Sequence, residues 1–578
     1  MSNSNKVAQE LEVHGNSTKL VVILHAYTSS PSKMSHVRDV VFQEIPNADI
    51  FIPKLPTAIF SLASPIDIVL SLLSAIDRLW EERQKRQDKN VYENIIIIGH
   101  SLGGLLARKI YVYACGESRE HLFEPEVKQK DARVWASKVE RIILLAGMNR
   151  GWEISHHMSI SNAIMWTIGV AIGNFILLIS KNLPLIFHIR RGSPFLTNLR
   201  IQWLAMKQAI STKDLDNALV IQLLGSVDDI VSPDDNVDLV SGEDFYYLDV
   251  PMSGHANVIE IDGTKAGQER KKVFDLALTA PSTELTQHST APEDSRDLSS
   301  FIKRPDVQNV VFVIHGIRDL GYWTRKIARR IQKKGKDRNI TIESETSTYG
   351  YFSLFSFLLP WKRREKVAWL MDQYSEALAI YPNAEFSFVG HSHGTYLLAK
   401  ALQDYPSCRF KNVVFAGSVV RTDYNWSEHI DKGQVKAILN YVATKDYVVA
   451  IFPKAFQILG LQDLGSAGHD GFNGSNSVSN VRFIEGDHGA ALNELNWDSI
   501  AAFIIDSEPN FLPSQLIRKR SNIVILLGAI SPLIWLLILL LLIWVGQLIL
   551  FNTGWAEWQK TVIFLIYIWG IAQILTKF

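Results

Sequence analysis

One pattern occurs twice in this 578-residue sequence and limits what the chain can fold into. A continuous apolar run leads into a Gly-x-Ser-x-Gly turn at Gly99–Gly103 and again at Gly390–Gly394, and a helical stretch follows each turn. Further apolar, β-branched runs alternate with helical stretches in both halves. Strands that are apolar on both faces belong to parallel sheets covered by helices on each side. The sequence therefore predicts an α/β fold with two tandem domains, each with a doubly wound, mostly parallel sheet.

The two turns place a serine where nucleophilic chemistry is possible. A turn of this kind leaves its serine exposed at the carboxyl end of a strand and against a helix N-terminus. A serine hydroxyl attacks only when a base takes its proton, and the base needs a carboxylate that orients it. In each half an acid and then a histidine follow the ends of later predicted strands, which share one edge of a doubly wound sheet. The predicted catalytic residues are Ser101, Asp228, His255, Ser392, Asp446 and His488.

Several alternatives remain open at this stage. Asp229 competes with Asp228 as the first acid, and His469 competes with His488 as the second base. The histidines beside the nucleophiles are not expected to be bases, because neighbours on so tight a turn point away from the serine. They are His100, His391 and His393. One domain could also be a degenerate copy that keeps the turn as scaffold.

This order of signals resembles the α/β-hydrolase superfamily, with a lipase- or esterase-like character, over Lys19–Lys272 and Val307–Asp506. The resemblance implies an oxyanion hole, in which backbone N–H groups come from the loop after the first strand and from the residue after the nucleophile. His315 and Gly316 match the His-Gly loop of the family, whereas the first half has alanine in place of the glycine. The implied donors are the N–H groups of Ala26, Tyr27, Leu102, Gly316, Ile317 and His393.

The C-terminal region predicts a membrane anchor. Ile523–Phe551 is uncharged and long enough to cross a bilayer, and a second uncharged run covers Thr561–Thr576. Arg518, Lys519 and Arg520 precede the first run, so the positive-inside rule predicts a hairpin with both hydrolase domains on the cytoplasmic side. A further apolar loop, Tyr351–Trp361, is followed by Lys362, Arg363 and Arg364, which suits either an anionic membrane surface or ordinary core packing.

The same signals set the expected domain boundaries. The first domain covers 15–278 and contains a cap insertion at about 148–216. The uncharged Ser159–Ser180 within the cap suits either a buried cap helix or a helix that dips into the membrane or covers an acyl-chain pocket. A flexible linker is expected at 279–304, because this stretch is rich in Ser, Thr, Pro and acids. The second domain covers 305–508, and two transmembrane helices occupy 521–578.

Composition narrows the function further. Lys and Arg number 59, and so do Asp and Glu, so no basic excess favours a nucleic-acid partner. Two cysteines cannot form a disulfide framework or a zinc ribbon, and we predict no cofactor or metal. The sequence predicts a membrane-anchored serine hydrolase that cleaves carboxylic esters of lipids or lipid-like substrates through an acyl-enzyme. The alternatives are a thioesterase of the depalmitoylase kind and a membrane-tethered interaction protein with inactive domains.

Overall fold

A computed structural model gives the structure of most of the chain. It describes residues 8–12, 17–59, 61–85, 91–118, 121–151, 183–211, 218–225, 245–289, 303–317, 319, 321–473, 478–508, 516–517, 519–551 and 554–577. The chain forms two compact units. Unit 1 consists of Met1–Ile302 and Met371–Ile380, and unit 2 consists of Lys303–Leu370 and Tyr381–Phe578.

Unit 1 is built on a seven-stranded sheet with the order β1-β3-β2-β4-β5-β6-β7. All neighbouring strands are parallel except β1, which pairs antiparallel with β3. The strands are β1 Ala8–Glu12, β2 Lys19–Leu24, β3 Asp49–Lys54, β4 Asn94–His100, β5 Val139–Leu145, β6 Leu219–Gly225 and β7 Phe245–Val250. The helices are α1 Ser35–Glu44, α2 Pro65–Gln84, α3 Leu102–Ala114, α4 Leu185–His188, α5 Pro194–Ser211, α6 Lys265–Thr279 and α7 Ser282–His288.

The apolar strands of unit 1 are covered on both faces. In β4, Ile95 and Ile97 belong to one hydrophobic cluster, whereas Ile96 and Ile98 belong to another. Because side chains alternate across a strand, each face of the sheet packs against its own helical layer. Helices α2 and α3 contribute to the first cluster, and α1 and α6 contribute to the second. This two-sided burial explains why the strand is apolar at each position from Ile95 to Ile98.

Unit 2 repeats the architecture with a six-stranded, fully parallel sheet in the order β13-β12-β11-β10-β8-β9. The strands are β8 Asn309–Ile314, β9 Ile342–Glu345, β10 Glu385–His391, β11 Phe410–Ala416, β12 Val435–Ala443 and β13 Val478–Ile484. The helices that follow in the chain are α8 Thr324–Lys336, α9 Leu354–Leu358, α10 Pro360–Ile380, α11 His393–Asp404, α12 Trp426–Asp431, α13 Tyr447–Ile451, α14 Pro453–Leu459, α15 Ala467–Asp470 and α16 Trp497–Asp506. They belong to unit 2, except for the part of α10 from Met371 to Ile380, which belongs to unit 1. The predicted fold class is confirmed.

Three C-terminal helices complete unit 2: α17 Asn522–Ala529, α18 Ser531–Leu550 and α19 Glu557–Lys577. The first apolar run is thus two helices, separated at Ile530, and Pro532 stands in the first turn of α18. Ser531–Leu550 and Glu557–Thr576 are long and apolar enough to cross a membrane. The Tyr567 hydroxyl donates a hydrogen bond of 2.7 Å to the carbonyl of Leu542, which joins α18 to α19.

The structure departs from the expected boundaries in two places. Strand β1 lies before residue 15, where the first domain was predicted to start; it is an edge strand, which needs no apolar alternation to pair through its backbone. The predicted flexible linker at 279–304 begins instead with α7, because Leu285 is fully buried in the core of unit 1. The cap segment Ser159–Ser180 lies outside the described residues.

Candidate active site

Both predicted nucleophiles occupy strained turns between a strand and a helix. Ser101 has φ 53° and ψ −114° between β4 and α3, and Ser392 has φ 53° and ψ −119° between β10 and α11. A positive φ is rare for a residue with a side chain and marks a conformation held by its surroundings. A methyl group on Gly103 would lie 2.3 Å from the carbonyl oxygen of Leu24, so only glycine fits there. The two turns therefore have the geometry of a nucleophile elbow.

In unit 1 the structure brings the predicted nucleophile and base together. The His255 Nε2 atom lies 2.8 Å from the Ser101 hydroxyl oxygen, and both side chains are buried. This is the distance at which a histidine can take the proton of a serine hydroxyl. The acid candidates Asp228 and Asp229 lie outside the described residues, so the structure leaves the choice between them open.

In unit 2 the structure brings the predicted base and acid together. The His488 Nδ1 atom lies 3.0 and 3.1 Å from the two carboxylate oxygens of Asp446. Asp446 is fully buried at the start of α13, where its carboxylate also accepts a 3.0 Å hydrogen bond from the N–H of Val449. Among the described residues, no hydrogen bond joins the Ser392 hydroxyl to His488. Catalytic hydrogen bonds are often longer without substrate and tighten when it binds.

The pair in unit 2 shifts both pKa values in the direction that base catalysis needs. Burial alone would raise the pKa of Asp446, but the attraction and hydrogen bonds of the His488 ring outweigh burial and lower it. Burial alone would lower the pKa of His488, but the Asp446 charge beside it holds that pKa above its ordinary value. The buried carboxylate therefore stays charged and can stabilise a protonated imidazole beside it.

The predicted oxyanion loop of unit 2 lies directly against its serine. A methyl group on Gly316 would lie 2.7 Å from Ser392 Cβ and 3.3 Å from its hydroxyl oxygen. The carbonyl of Gly316 accepts hydrogen bonds of 2.8 Å from the Tyr349 hydroxyl and from the His315 ring. Since the N–H and C=O of a planar trans peptide point in opposite directions, these bonds fix the direction of the Ile317 N–H.

The corresponding loop of unit 1 has a similar histidine but a different neighbour. His25 accepts a 3.0 Å hydrogen bond from the N–H of Leu55 at Nε2, so its Nδ1 carries the proton and donates to the carbonyl of Ala26. The Tyr27 N–H is thereby fixed in the same way as that of Ile317. Ala26 carries a methyl group where unit 2 has none, so the two loops cannot present the same geometry to their serines. The other implied donors, Leu102 and His393, are the first residues of their helices, whose N–H groups have no partner within the helix.

The histidines that precede the nucleophiles contact the backbone of the predicted bases. The His100 Nε2 atom lies 2.8 Å from the carbonyl oxygen of His255, and His391 Nε2 lies 3.3 Å from that of His488. A carbonyl only accepts, so each ring donates and holds its base in place. Burial, helped by the nearby His488, lowers the pKa of His391 to about 3, which keeps this ring neutral. The sequence analysis did not predict that His100 and His391 hold the bases in place, although Gly-His-Ser occurs in both turns and could have indicated it.

The remaining histidine candidates have other surroundings. His393 is fully buried between the rings of Phe352 and Tyr396, and burial holds its pKa well below the ordinary value. His469, the alternative second base, is fully buried in α15, and neither of its ring nitrogens has a hydrogen-bond partner among the described residues. The Asp446 carboxylate contacts His488 instead. The geometry therefore favours His488 over His469.

Each unit combines a doubly wound, mostly parallel sheet with a serine elbow at the carboxyl edge of a central strand. This is the architecture of the α/β-hydrolase fold. The chain contains two units of this architecture, one with seven strands and one with six.

Comparisons with known proteins found solved structures that are similar to about half of this chain. No protein-family model and no curated protein matches the chain. A soluble variant of the monoglyceride lipase of Saccharomyces cerevisiae is 11% identical and covers 49% of this chain and 92% of its own, with a TM-score of 0.32. The lipase BlEst2 of Bacillus licheniformis is 13% identical over 47% of this chain and 98% of its own, with a TM-score of 0.29. A carboxylesterase of Nitrososphaera gargenis is 16% identical over 50% of this chain and 98% of its own, with a TM-score of 0.27. At these identities the likeness concerns the fold alone.

Proposed function

We propose that the chain is a membrane-anchored serine hydrolase that cleaves carboxylic esters of lipids or lipid-like substrates. The observation behind the proposal is the 2.8 Å contact between the His255 imidazole and the Ser101 hydroxyl within an elbow turn. A serine with a buried histidine at this distance is an activated nucleophile. The buried His488–Asp446 pair beside the second elbow supports the same chemistry in unit 2.

The reaction follows from the positions of these groups. The Ser101 oxygen attacks the ester carbonyl while His255 takes the hydroxyl proton. The N–H groups of Leu102 and of the Ala26–Tyr27 loop then stabilise the negative oxygen of the tetrahedral intermediate. The intermediate expels the alcohol, which receives the proton from His255, and an acyl-enzyme remains. Water, deprotonated by the same histidine, attacks the acyl-enzyme and releases the carboxylic acid.

The membrane part of the proposal is based on the C-terminal helices. Side chains along α18 and α19 are apolar and largely exposed, as are Leu537 and Ile566 at 57% and 60%. Exposed apolar surface of this extent is stable in a bilayer and not in water. With the preceding basic residues on the cytoplasmic side, both units would be tethered there. Confinement to the membrane keeps lipid esters close to the enzyme.

Labelling with a fluorophosphonate probe tests the proposal, because the probe reacts only with an activated serine. We expect wild type to be labelled, Ser101→Ala and Ser392→Ala each to lose part of the label, and the double variant to lose all of it. Cys408→Ala, a change at a buried thiol that the mechanism does not use, is the matched control. Absence of label in wild type at saturating probe would exclude the hydrolase and favour an interaction protein. A thioesterase would label equally, but would prefer a thioester to the matching oxygen ester.

A further inference from the structure

An exposed apolar patch lies beside the second active site, on the segment that contains α13 and α14. We name it the outer apolar surface; it consists of Tyr447, Val448, Ile458, Leu459 and Leu461, which are between 37% and 65% exposed. Two polar side chains of α14 are bonded to the protein instead: Lys454 forms a 3.0 Å ion pair with Asp470, and Gln457 donates a 2.7 Å hydrogen bond to Thr422. Apolar side chains grouped on a surface mark a site of interaction with a protein or a membrane.

The segment that carries the outer apolar surface contacts the C-terminal helices. The Trp535 indole of α18 donates a 2.9 Å hydrogen bond to the carbonyl of Ile451, and its ring packs against Phe452 with the ring centres 5.2 Å apart. A methyl group on Gly528 of α17 would lie 3.4 Å from the carbonyl oxygen of Ala450, so the two backbones approach closely. These contacts join α13 and α14 to the helices that are long enough to cross a membrane.

A second set of contacts fixes the segment at its other end. The N–H of Ser521 donates a 3.2 Å hydrogen bond to the carbonyl of Thr444, two residues before the predicted acid. The Arg520 guanidinium donates a 2.9 Å hydrogen bond to the Asp470 carboxylate and covers the ring of Phe483. Arg520 is one of the basic residues that marks the membrane boundary in the sequence. The segment after Asp446 therefore lies beside the boundary of the membrane.

We propose that the outer apolar surface is embedded in the bilayer interface, with lipid as its partner, so that the second active site takes its ester substrate from the membrane. The medium that surrounds the start of α18 also meets this surface, because Trp535 of α18 contacts Ile451 and Phe452 in the segment that carries it. Tyr447 has an apolar ring and a polar hydroxyl, which is the character of residues at a membrane–water boundary. Asp446 is adjacent to Tyr447 in the chain, so a surface at the interface places the catalytic acid there too.

Lipid quenching of site-specific fluorophores tests this inference, which depends on the proposed membrane anchor. The full chain, in a Cys115→Ala background, is placed in phosphatidylcholine nanodiscs that contain lipid spin-labelled at a shallow or a deep acyl position. An environment-sensitive fluorophore is attached after Leu461→Cys on the surface, Leu537→Cys in α18, or Glu385→Cys. Glu385 begins β10 at the amino edge of the sheet, about 20 Å from the carboxyl edge, and serves as the control.

We expect the shallow label to quench the Leu461 probe several-fold more than the Glu385 probe, and the deep label to quench the Leu537 probe most. If the shallow label quenches the Leu461 and Glu385 probes equally while the deep label quenches the Leu537 probe, the anchor stands and the surface proposal is wrong. If neither Leu461 nor Leu537 is quenched, the anchor and the surface proposal both fail.

A kinetic measurement separates this inference from the proposed function. In a Ser101→Ala background, Leu459→Asp with Leu461→Asp should lower hydrolysis of a bilayer-embedded ester by Ser392 several-fold and leave hydrolysis of a soluble short-chain ester unchanged. Leu495→Asp, at an apolar residue that is 72% exposed elsewhere in unit 2, is the control. An equal loss on both esters would overturn the proposal. If Ser392 hydrolyses neither ester in the background itself, the proposed function of unit 2 fails, and the quenching result alone decides the inference.

Discussion

Adding one methyl group at Gly316 tests whether the loop beside Ser392 is an oxyanion hole. The new carbon would lie 2.7 Å from Ser392 Cβ, whereas carbon atoms in contact prefer about 3.5–4.0 Å. Gly316→Ala therefore forces the loop and the serine apart by about 1 Å. A misplacement of this size at a reacting centre costs about 100-fold in rate. We expect a loss of that order in the reaction of Ser392, because the oxyanion donors no longer meet the attacked carbonyl.

The assay follows Ser392 alone. The rate of fluorophosphonate labelling and kcat on a short-chain ester are measured for two proteins. One is the Ser101→Ala protein, and the other carries Gly316→Ala in that background. Thermal unfolding shows whether the variant is folded. The matched control is the reverse change, Ala26→Gly in a Ser392→Ala background, which introduces no new contact beside Ser101 and should not slow its labelling. Unchanged labelling in a folded Gly316→Ala protein would show that the loop does not take part in the reaction.

Two further predictions concern the acid of the second site. Asp446→Asn removes the charge that raises the pKa of His488 and leaves the burial that lowers it. The pH at which Ser392 labelling reaches half its maximum should therefore fall. The maximal labelling rate should also fall, by about 10³- to 10⁴-fold. An unmoved midpoint across the pH profile would mean that His488 is not the base. Trp535→Ala removes a hydrogen bond to Ile451 and an aromatic contact, each of about 1 kcal/mol, and should slow labelling of Ser392 but not of Ser101. Trp535→Phe should give a smaller loss, and equal rates for all three proteins would exclude a positioning role.

Much of the fold could be predicted from the sequence because the strands are buried on both faces. A run such as Ile95–Ile98 has no polar side, and only a sheet between two helical layers accommodates it. Strand β1 escaped prediction because pairing at a sheet edge uses the backbone and requires no apolar pattern. Helix α7 escaped because its stretch has the composition of a linker and is held by one buried side chain, Leu285.

The predicted site residues share a simple positional rule, and the missed ones do not. Ser101, His255, Asp446 and His488 each follow the end of a strand, so topology alone brings them to one edge of a sheet. The roles of His391 and Tyr349 depend on the direction of a ring across that edge, which no spacing in the sequence reveals. Tyr349 lies in a polar stretch without periodicity, and its contact with the Gly316 carbonyl became visible only in the structure.

Charged residues beside apolar stretches were harder to interpret, because partners distant in sequence decide their surroundings. Arg363, counted in a basic run for an anionic membrane surface, is fully buried and forms a 2.8 Å ion pair with Asp463, one hundred positions later. The basic run of Lys362, Arg363 and Arg364 therefore offers fewer free cations to lipid headgroups than the sequence indicates. Core packing, the other interpretation of that stretch, agrees with this burial.

The C-terminal helices also support the segment of unit 2 that contains the second predicted acid. The segment that contains Asp446 is bonded at Thr444 to Ser521, which precedes α17, and at Ile451 to Trp535 in α18. A carboxylate that orients a catalytic histidine must be held within a fraction of an ångström, which packing and hydrogen bonds from a rigid neighbour provide. Here that neighbour is the proposed membrane anchor. Because these contacts lie on both sides of Asp446, a chain cut before residue 521 would lose the proposed anchor and, with it, this support of the second predicted acid.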